Sequence, residues 1–295
     1  MSRNYDLLKN IEQEYGRGND RDEKVSAQVP LAERSSSLPH SGDTASTSAA
    51  LHKTADSLWL RISCRAACPW NLDSEYMLFC NGHGLARTGT EEFRTLRSRL
   101  YEIRRRLPLQ TLLIASAVPG EGKSFVAANL AQALAQQRGT RVLLIDGDLR
   151  NPKLHDFLGT ACKPGLSDYL AGEVNEVAIT QRGPFEELFF IPGGTLRTSP
   201  SELLGSSNFD VLLKHMEESF EWIIIDSAPV LSVSDANIIA EICDGVLLVV
   251  RAGLTPSNVA DKARLEFRSN RLLGVVLNRA TPASSFPYHA ERNRL

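Results

Sequence analysis

Residues 111–124 read TLLIASAVPGEGKS, an apolar run followed by a glycine-rich turn. The run has the composition of a buried strand, and the stretch from Ser124 to Gln137 has the pattern of a helix that Gly139 ends. Strand, glycine-rich turn and helix, in this order, form the local structure that binds phosphate groups through backbone N–H groups. The segment therefore predicts a phosphate-binding loop after a buried strand.

The turn contains the residue types that phosphate binding needs. Gly120 and Gly122 let the backbone turn its N–H groups inward, Lys123 can reach the outer phosphates, and the Ser124 hydroxyl can hold magnesium. Ala117 stands where the usual eight-residue pattern has its first glycine, so the pattern alone is incomplete. Because a strand and a helix flank the turn, a phosphate loop is favoured over a chance Gly-Lys-Ser turn.

Apolar runs recur along the rest of the chain and predict further strands of one sheet. They lie at residues 142–145, 188–191, 222–225, 246–250 and 272–277, with helical stretches between them. Near-continuous apolar strands that alternate with helices are typical of a parallel sheet covered on both faces. We therefore predict an α/β fold of the P-loop NTPase type, with a mostly parallel sheet and helices on both faces.

Two of these strands are followed by carboxylates. Asp146 and Asp148 come after the run 142–145, and Asp226 comes after the run 222–225. Ligands of open α/β sheets bind at the carboxyl ends of the strands, so we expect the three acids to surround one magnesium ion. A single aspartate in such a place is often only a solvated or helix-capping acid. Their occurrence together with the phosphate loop favours the metal site.

The bulk properties exclude several classes of partner. A net charge of −2 and a pI of about 6.3 argue against nucleic acid or an anionic membrane surface as a partner. No apolar run reaches the length of about 18 residues that a bilayer span needs, and the first residues lack the layout of a signal peptide. Five cysteines, an odd number, suit reduced thiols. We expect a cytoplasmic protein.

The chain divides by composition into three parts. Residues 1–85 are predicted to be a largely disordered extension, since 17–55 are polar with few aromatic residues and 57–85 show no clear period. Residues 86–280 form the predicted nucleotide-binding domain. Residues 281–295 are polar and unpatterned, and are expected to be a flexible tail.

A possible zinc site lies in the extension. Cys64, Cys68, Cys80 and His83 have a spacing that four zinc ligands can adopt. The surrounding sequence shows no hairpin or helix pattern to hold such ligands, so reduced cysteines without metal are the favoured alternative.

Three segments together resemble the bacterial tyrosine kinases (BY-kinases) of capsule and exopolysaccharide assembly. They are PGEGKS at 119–124, LLIDGDLRNP at 143–152 and IIIDSAP at 223–229. The resemblance covers about residues 91–279. Its most specific part is the second segment, an additional Walker-type motif that serves tyrosine phosphorylation in the family.

A predicted basic amphipathic helix at residues 90–106 adds a fourth segment. Within it, Glu91-x-x-Arg94-x-x-Arg97 looks like the family element through which subunits associate into a ring. Arg94 and Arg97 have no obvious partner within the helix. A solvated basic face is the alternative interpretation.

The resemblance implies an ATP- and Mg²⁺-dependent protein-tyrosine autokinase that regulates exopolysaccharide or capsule polymerisation and export. In this role Lys123 would clamp the outer phosphates and Asp146 would activate the tyrosine hydroxyl. Magnesium would be held by Ser124, Asp148 and Asp226. The implied nucleotide contacts are Gly120, Glu121, Gly122, Lys123, Ser124, Phe125, Arg150 and Asn278. Asn278 stands where related ATPases read adenine, and a simple turn residue is an equal alternative.

The resemblance also implies partners. A homo-oligomeric ring and a separate membrane-spanning chain-length determinant or activator protein are expected, with the chain peripheral at the inner face of the plasma membrane. Most members carry a tyrosine cluster in the tail, whereas this tail has Tyr288 alone, so Tyr288 is the expected phosphoacceptor and Tyr5 and Tyr15 are its competitors.

Two other functions stay open. A ParA/MinD-type partitioning or positioning ATPase shares the sheet and the acids, but it usually carries a second lysine early in the phosphate loop, where this chain has Ala117-Val118-Pro119. A nucleotide-binding chain-length regulator without kinase activity is the third possibility.

Overall fold

The computed structural model describes residues 58–79, 89–268 and 271–280. The predicted disordered stretch at 17–55, the predicted tail at 281–295 with Tyr288, and two of the candidate zinc ligands, Cys80 and His83, lie outside the described residues.

A seven-stranded sheet forms the centre of the described part of the chain. The strands, in the spatial order β3-β4-β2-β5-β1-β6-β7, are all parallel to their neighbours except for the antiparallel pair β3 and β4. Their bounds are β1 Thr111–Ser116, β2 Val142–Asp146, β3 Gln181–Arg182, β4 Leu188–Ile191, β5 Trp222–Asp226, β6 Gly245–Arg251 and β7 Leu272–Asn278. The predicted mostly parallel sheet is confirmed, and the two-residue edge strand β3 is an addition to it.

Helices cover both faces of this sheet. After a short helix α1 at residues 58–63, they are α2 Thr90–Arg104, α3 Lys123–Ala135, α4 Leu154–Leu158, α5 Leu166–Leu170, α6 Glu176–Ile179, α7 Pro200–Leu204, α8 Ser207–Glu217, α9 Asp235–Ile242 and α10 Ser257–Leu265. The helices predicted before and after β1 are therefore confirmed within a few residues. None of the helices described is both long and apolar enough to cross a lipid bilayer.

The continuous apolar strands are explained by two cores, one on each face of the sheet. Successive side chains of a strand point to opposite faces, so Leu112 and Ile114 of β1 lie in one core and Leu113 and Ala115 in the other. All six residues of β1 are buried. A central parallel strand therefore has no polar face, as the sequence pattern indicates.

Residues 58–79 belong to the folded part of the chain, although the sequence places them in the extension that precedes residue 86. Leu58 and Ile62 are buried in one core, whereas Trp70 and Met77 are buried in the other. The segment thus extends from one face of the sheet to the other. Most of it is neither helix nor strand, which is why its apolar residues show no period although four of them are buried in a core.

Candidate active site

The predicted phosphate loop lies between β1 and α3. Gly120 and Gly122 have φ values of 82° and 95°, which residues with a side chain rarely adopt. Gly122 is also the residue that precedes the first turn of α3, with Lys123 as the first helical residue. The free N–H groups of that first turn, together with the positive end of the helix, favour binding of an anion.

Glu121 is the loop residue whose side chain points into the protein. Its buried carboxylate accepts hydrogen bonds from the Val118 N–H at 2.8 Å and from the Thr255 hydroxyl at 2.5 Å. Thr255 follows β6, so Glu121 ties the loop to the end of another strand. Because this side chain is engaged inside the protein, only the backbone of Glu121 can make the predicted contact with a nucleotide.

Asn278, at the end of β7, holds the loop from the other side. Its Nδ2 atom donates to the Glu121 carbonyl at 2.8 Å. A Cβ atom at position 122 would lie 2.1 Å from the same Nδ2 atom, so the close approach requires Gly122. The amide of Asn278 therefore stabilises the phosphate loop, and its contact with adenine stays a prediction.

Lys123 lies among the three predicted acids. Its Nζ atom is 3.2 Å from Oδ2 of Asp148. Burial acts to lower the pKa of Lys123, but the charges of Asp226, Asp148 and Asp146 outweigh it and raise this pKa overall. The lysine is therefore held in its charged form, as phosphate binding requires.

Asp146 is fully buried at the end of β2, and backbone N–H groups fix its carboxylate. Oδ2 accepts hydrogen bonds from the N–H groups of Lys153 and Leu154, both at 3.0 Å, and Oδ1 accepts one from Asp148 at 3.3 Å. Burial and the nearby charge of Asp226 raise the pKa of Asp146 well above its usual value, although the Leu154 N–H opposes this. The orientation of Asp146 thus depends on the start of α4.

Asp226 is buried, but neither of its carboxylate oxygens has a hydrogen bond of ordinary geometry within the described part of the chain. Burial raises its pKa to about 6, while the charge of Lys123 and the nearby groups Ser124 Oγ and Ser227 N–H act to lower it. Buried carboxylate oxygens without hydrogen-bond partners are suited to coordinate a cation.

The residues present fit magnesium bound together with a nucleotide. In the described residues no three His, Cys, Asp or Glu side chains are placed to hold a metal by themselves. Magnesium is usually held by one or two carboxylates together with substrate phosphates and water, which agrees with a set of Ser124, Asp148 and Asp226.

Gly147 brings the acids of two strands together. Its N–H donates to the Asp226 carbonyl at 3.0 Å, and a Cβ atom at position 147 would lie 2.5 Å from that oxygen. Asp146 and Asp226 are direct neighbours in the pairing of β2 with β5. The glycine between the two acids of the Asp-Gly-Asp segment is therefore required by this close approach.

Arg150 has its main partner within the chain, and its predicted contact with nucleotide stays a prediction. Its Nε and Nη2 atoms donate to the two carboxylate oxygens of Asp235 at 2.7 and 3.1 Å. Ser201 donates to the same carboxylate at 2.6 Å. Asp235 is completely buried, and a buried carboxylate needs such a charged partner. No sequence signal identified Asp235, which stands 85 residues after Arg150.

The helix α2 contacts the phosphate-loop helix α3 through several predicted site residues. Arg97 donates to the Ala133 carbonyl near the end of α3 at 2.7 Å, and Arg94 pairs with Glu91. Arg94 therefore has a partner within its own helix, contrary to the expectation, whereas the partner of Arg97 lies on α3. Phe125, predicted to contact nucleotide, packs edge-on against Phe93 of α2 with ring centroids 6.0 Å apart.

A cavity of about 380 Å³ lies beside the loop that holds Asp146. It is lined by Arg150, Asn151, Pro152, His155, Cys162, Lys163, Gly194, Thr195 and Leu196. The lining combines apolar and cationic side chains.

Comparisons with known sequences and structures relate the chain to nucleotide-binding domains and tyrosine-protein kinases. The sequence profile of the CobQ/CobB/MinD/ParA nucleotide binding domain matches residues 112–294. Tyrosine-protein kinase YwqD of Bacillus subtilis is 33% identical over 208 residues, which cover 69% of this chain and 87% of YwqD. The succinoglycan biosynthesis transport protein ExoP of Rhizobium meliloti is 37% identical over 175 residues, 58% of this chain and 22% of ExoP. The solved kinase domain of Escherichia coli tyrosine kinase ETK has a TM-score of 0.64 and 32% identity, with 68% of this chain and 79% of that chain covered.

Proposed function

Because the chain belongs to the CobQ/CobB/MinD/ParA nucleotide-binding family and to the bacterial tyrosine kinases, we propose that it transfers the γ-phosphoryl group of ATP to protein tyrosines. The observation that carries the proposal is the cluster of Lys123 with Asp146, Asp148 and Asp226 beside the phosphate loop. The relation to ExoP supports a role in exopolysaccharide production.

The chemistry follows from the positions of these side chains. Lys123 and the N–H groups at the start of α3 bind the outer phosphates and offset their charge. Asp146 accepts the proton of the tyrosine hydroxyl while the tyrosine oxygen forms a bond to the γ-phosphorus. The bond between that phosphorus and the bridging oxygen of ADP breaks. Ser124, Asp148 and Asp226 would hold magnesium, which would supply positive charge to offset the phosphates.

Phosphotyrosine formation on the purified chain tests the function directly. After incubation with ATP and Mg²⁺, we expect an anti-phosphotyrosine signal, and mass spectrometry is expected to find most of the phosphate on Tyr288. The reason is reach, because an acceptor hydroxyl must enter another subunit's site in an extended segment, and Tyr101, with its hydroxyl buried, cannot. Phosphate only on Tyr5 or Tyr15, or an undiminished signal in Tyr288→Phe, would show that the tail is not the acceptor.

Phosphate release separates the proposed kinase from the other functions. A partitioning ATPase hydrolyses ATP without a tyrosine substrate, and a regulator without kinase activity transfers no phosphate. A kinase transfers label from ATP to a tyrosine-containing substrate. If all of the label released from ATP is recovered as free phosphate, the proposal is contradicted.

We also propose that the chain acts at the inner face of the membrane through a membrane-spanning chain-length protein. The support is its relation to ExoP, a polysaccharide biosynthesis transport protein of which this chain covers 22%. Co-purification of the two proteins from detergent-solubilised membranes tests the association.

Association into a ring is proposed to use Glu91, Arg94 and Arg97. We expect that changing both arginines to alanine leaves a monomer by light scattering and weakens phosphorylation between subunits. Since Arg97 also donates to Ala133, the double variant should lose about 1 kcal/mol of stability. Arg99→Ala, which removes an exposed arginine of the same helix, is the matched control. If the double variant has the same oligomeric state as the wild type, the two arginines do not mediate subunit association and act only within one chain.

A further inference from the structure

A segment outside the motifs contacts the two helices that adjoin the candidate active site. Residues 71–79, here called the clamp, lie against α3 on one side and α4 on the other. The first of these helices begins at Lys123, and the N–H groups at the start of the second hold the Asp146 carboxylate. The clamp thus contacts both the helix that follows the phosphate loop and the short helix whose first N–H groups hold Asp146.

The contact with α3 is made through one buried asparagine. Asn129 has no exposed surface, and its Nδ2 atom donates to the carbonyls of Tyr76 at 2.7 Å and Phe125 at 2.9 Å. Its Oδ1 atom accepts the Leu78 N–H at 2.8 Å. A buried amide with donor and acceptor both satisfied fixes its partners in one arrangement, because losing either bond leaves a buried polar group unpaired.

The contact with α4 combines backbone hydrogen bonds with an aromatic stack. The Asp73 N–H donates to the Phe157 carbonyl at 2.9 Å, and the Asn71 N–H donates to the Gly159 carbonyl at 3.2 Å. The rings of Tyr76 and Phe157 stack with centroids 4.3 Å apart and an interplanar angle of 3°. The clamp therefore contacts the last turn of α4, while the first turn of the same short helix binds Asp146.

We propose that the clamp positions Asp146 relative to the phosphate loop, with Tyr76 and Asn129 as positioning residues for phosphoryl transfer. This inference rests on the function proposed above. A helix of five residues has too few internal hydrogen bonds to hold its own place, so its orientation depends on what it packs against. Loss of the stack should let α4 move and should misplace Asp146, with little effect on Lys123 or the loop.

The test compares two substitutions of Tyr76 in the full chain. Tyr76→Ala removes the stack and is expected to lower kcat for transfer to tyrosine by about tenfold, with the KM for ATP unchanged. Tyr76→Phe keeps the ring and is expected to restore wild-type kcat. Glu75→Ala, an exposed neighbour in the same turn, is the control. Phe157→Leu, which keeps an apolar side chain at the other side of the stack, should reproduce the effect of Tyr76→Ala, and the double variant should add little to either.

Hydrogen exchange separates the clamp from the kinase activity itself. In Tyr76→Ala the amides of residues 153–159 should exchange faster than in the wild type and in Tyr76→Phe, whereas those of α3 should not change. A wild-type chain that forms no phosphotyrosine would contradict the proposed function. The exchange rates would still show whether the clamp holds α4 in place. Three results would each contradict the positioning role of the clamp. They are unchanged kcat and exchange in Tyr76→Ala, an equal loss of ATP affinity and kcat in that variant, and a Tyr76→Phe variant as impaired as Tyr76→Ala.

Discussion

Lys123→Met is expected to lower nucleotide-dependent phosphorylation by about 10²-fold or more while the fold is retained. The lysine is the cation that faces Asp226, Asp148 and Asp146, and it is part of neither apolar core. Without it the phosphates of ATP would meet three carboxylates at the end of the loop. Repulsion between these charges disfavours both binding and transfer, and in the free protein a carboxylate can take up a proton instead.

The measurement combines fluorescent ATP-analogue binding, phosphotyrosine formation and thermal unfolding. Lys262→Met is the matched control, because Lys262 is an exposed lysine on α10. The control should keep wild-type binding and activity. Wild-type phosphorylation in Lys123→Met would contradict the proposed role of the loop, and loss of cooperative unfolding would contradict a purely functional role of the lysine.

Asp146→Asn is expected to lower transfer to tyrosine by about 10²- to 10⁴-fold, the range for removal of a general base. Asparagine has nearly the same shape, and its carbonyl oxygen can still accept the N–H groups of Lys153 and Leu154 that hold the native side chain. It cannot accept the proton of the tyrosine hydroxyl. Affinity for ATP should therefore stay near the wild-type value, which separates this variant from Lys123→Met.

The control for this prediction lies on the same short helix. Asp156 is an exposed acid of α4 beside His155, so Asp156→Asn removes the same charge without touching the buried cluster. Single-turnover phosphoryl transfer should be normal in the control. Equal rates in Asp146→Asn and the wild type, or an equal loss in Asp156→Asn, would show that Asp146 is not the base.

The fold class and the place of the site were predictable because their signals are local. Each central strand is buried on both faces, so it must be apolar at every position, as in TLLIAS at 111–116. The loop needs glycines, a lysine and a hydroxyl within a few residues of one another. Carboxylates directly after two strands must lie at one edge of the sheet once the strands are parallel. Sequence alone therefore determined the sheet, the loop and the cluster of acids around Lys123.

Only the tertiary structure showed which polar side chains form hydrogen bonds within the chain. Asn278 binds the Glu121 carbonyl across 157 residues, and Arg150 binds Asp235 across 85. Spacing cannot signal such pairs, since each partner is an ordinary polar residue in its own segment. The segment at 58–79 is similar, because its few apolar side chains enter cores built by residues from the rest of the chain. Burial is a property of the assembled fold, so only the structure could show that these residues hold the site in place.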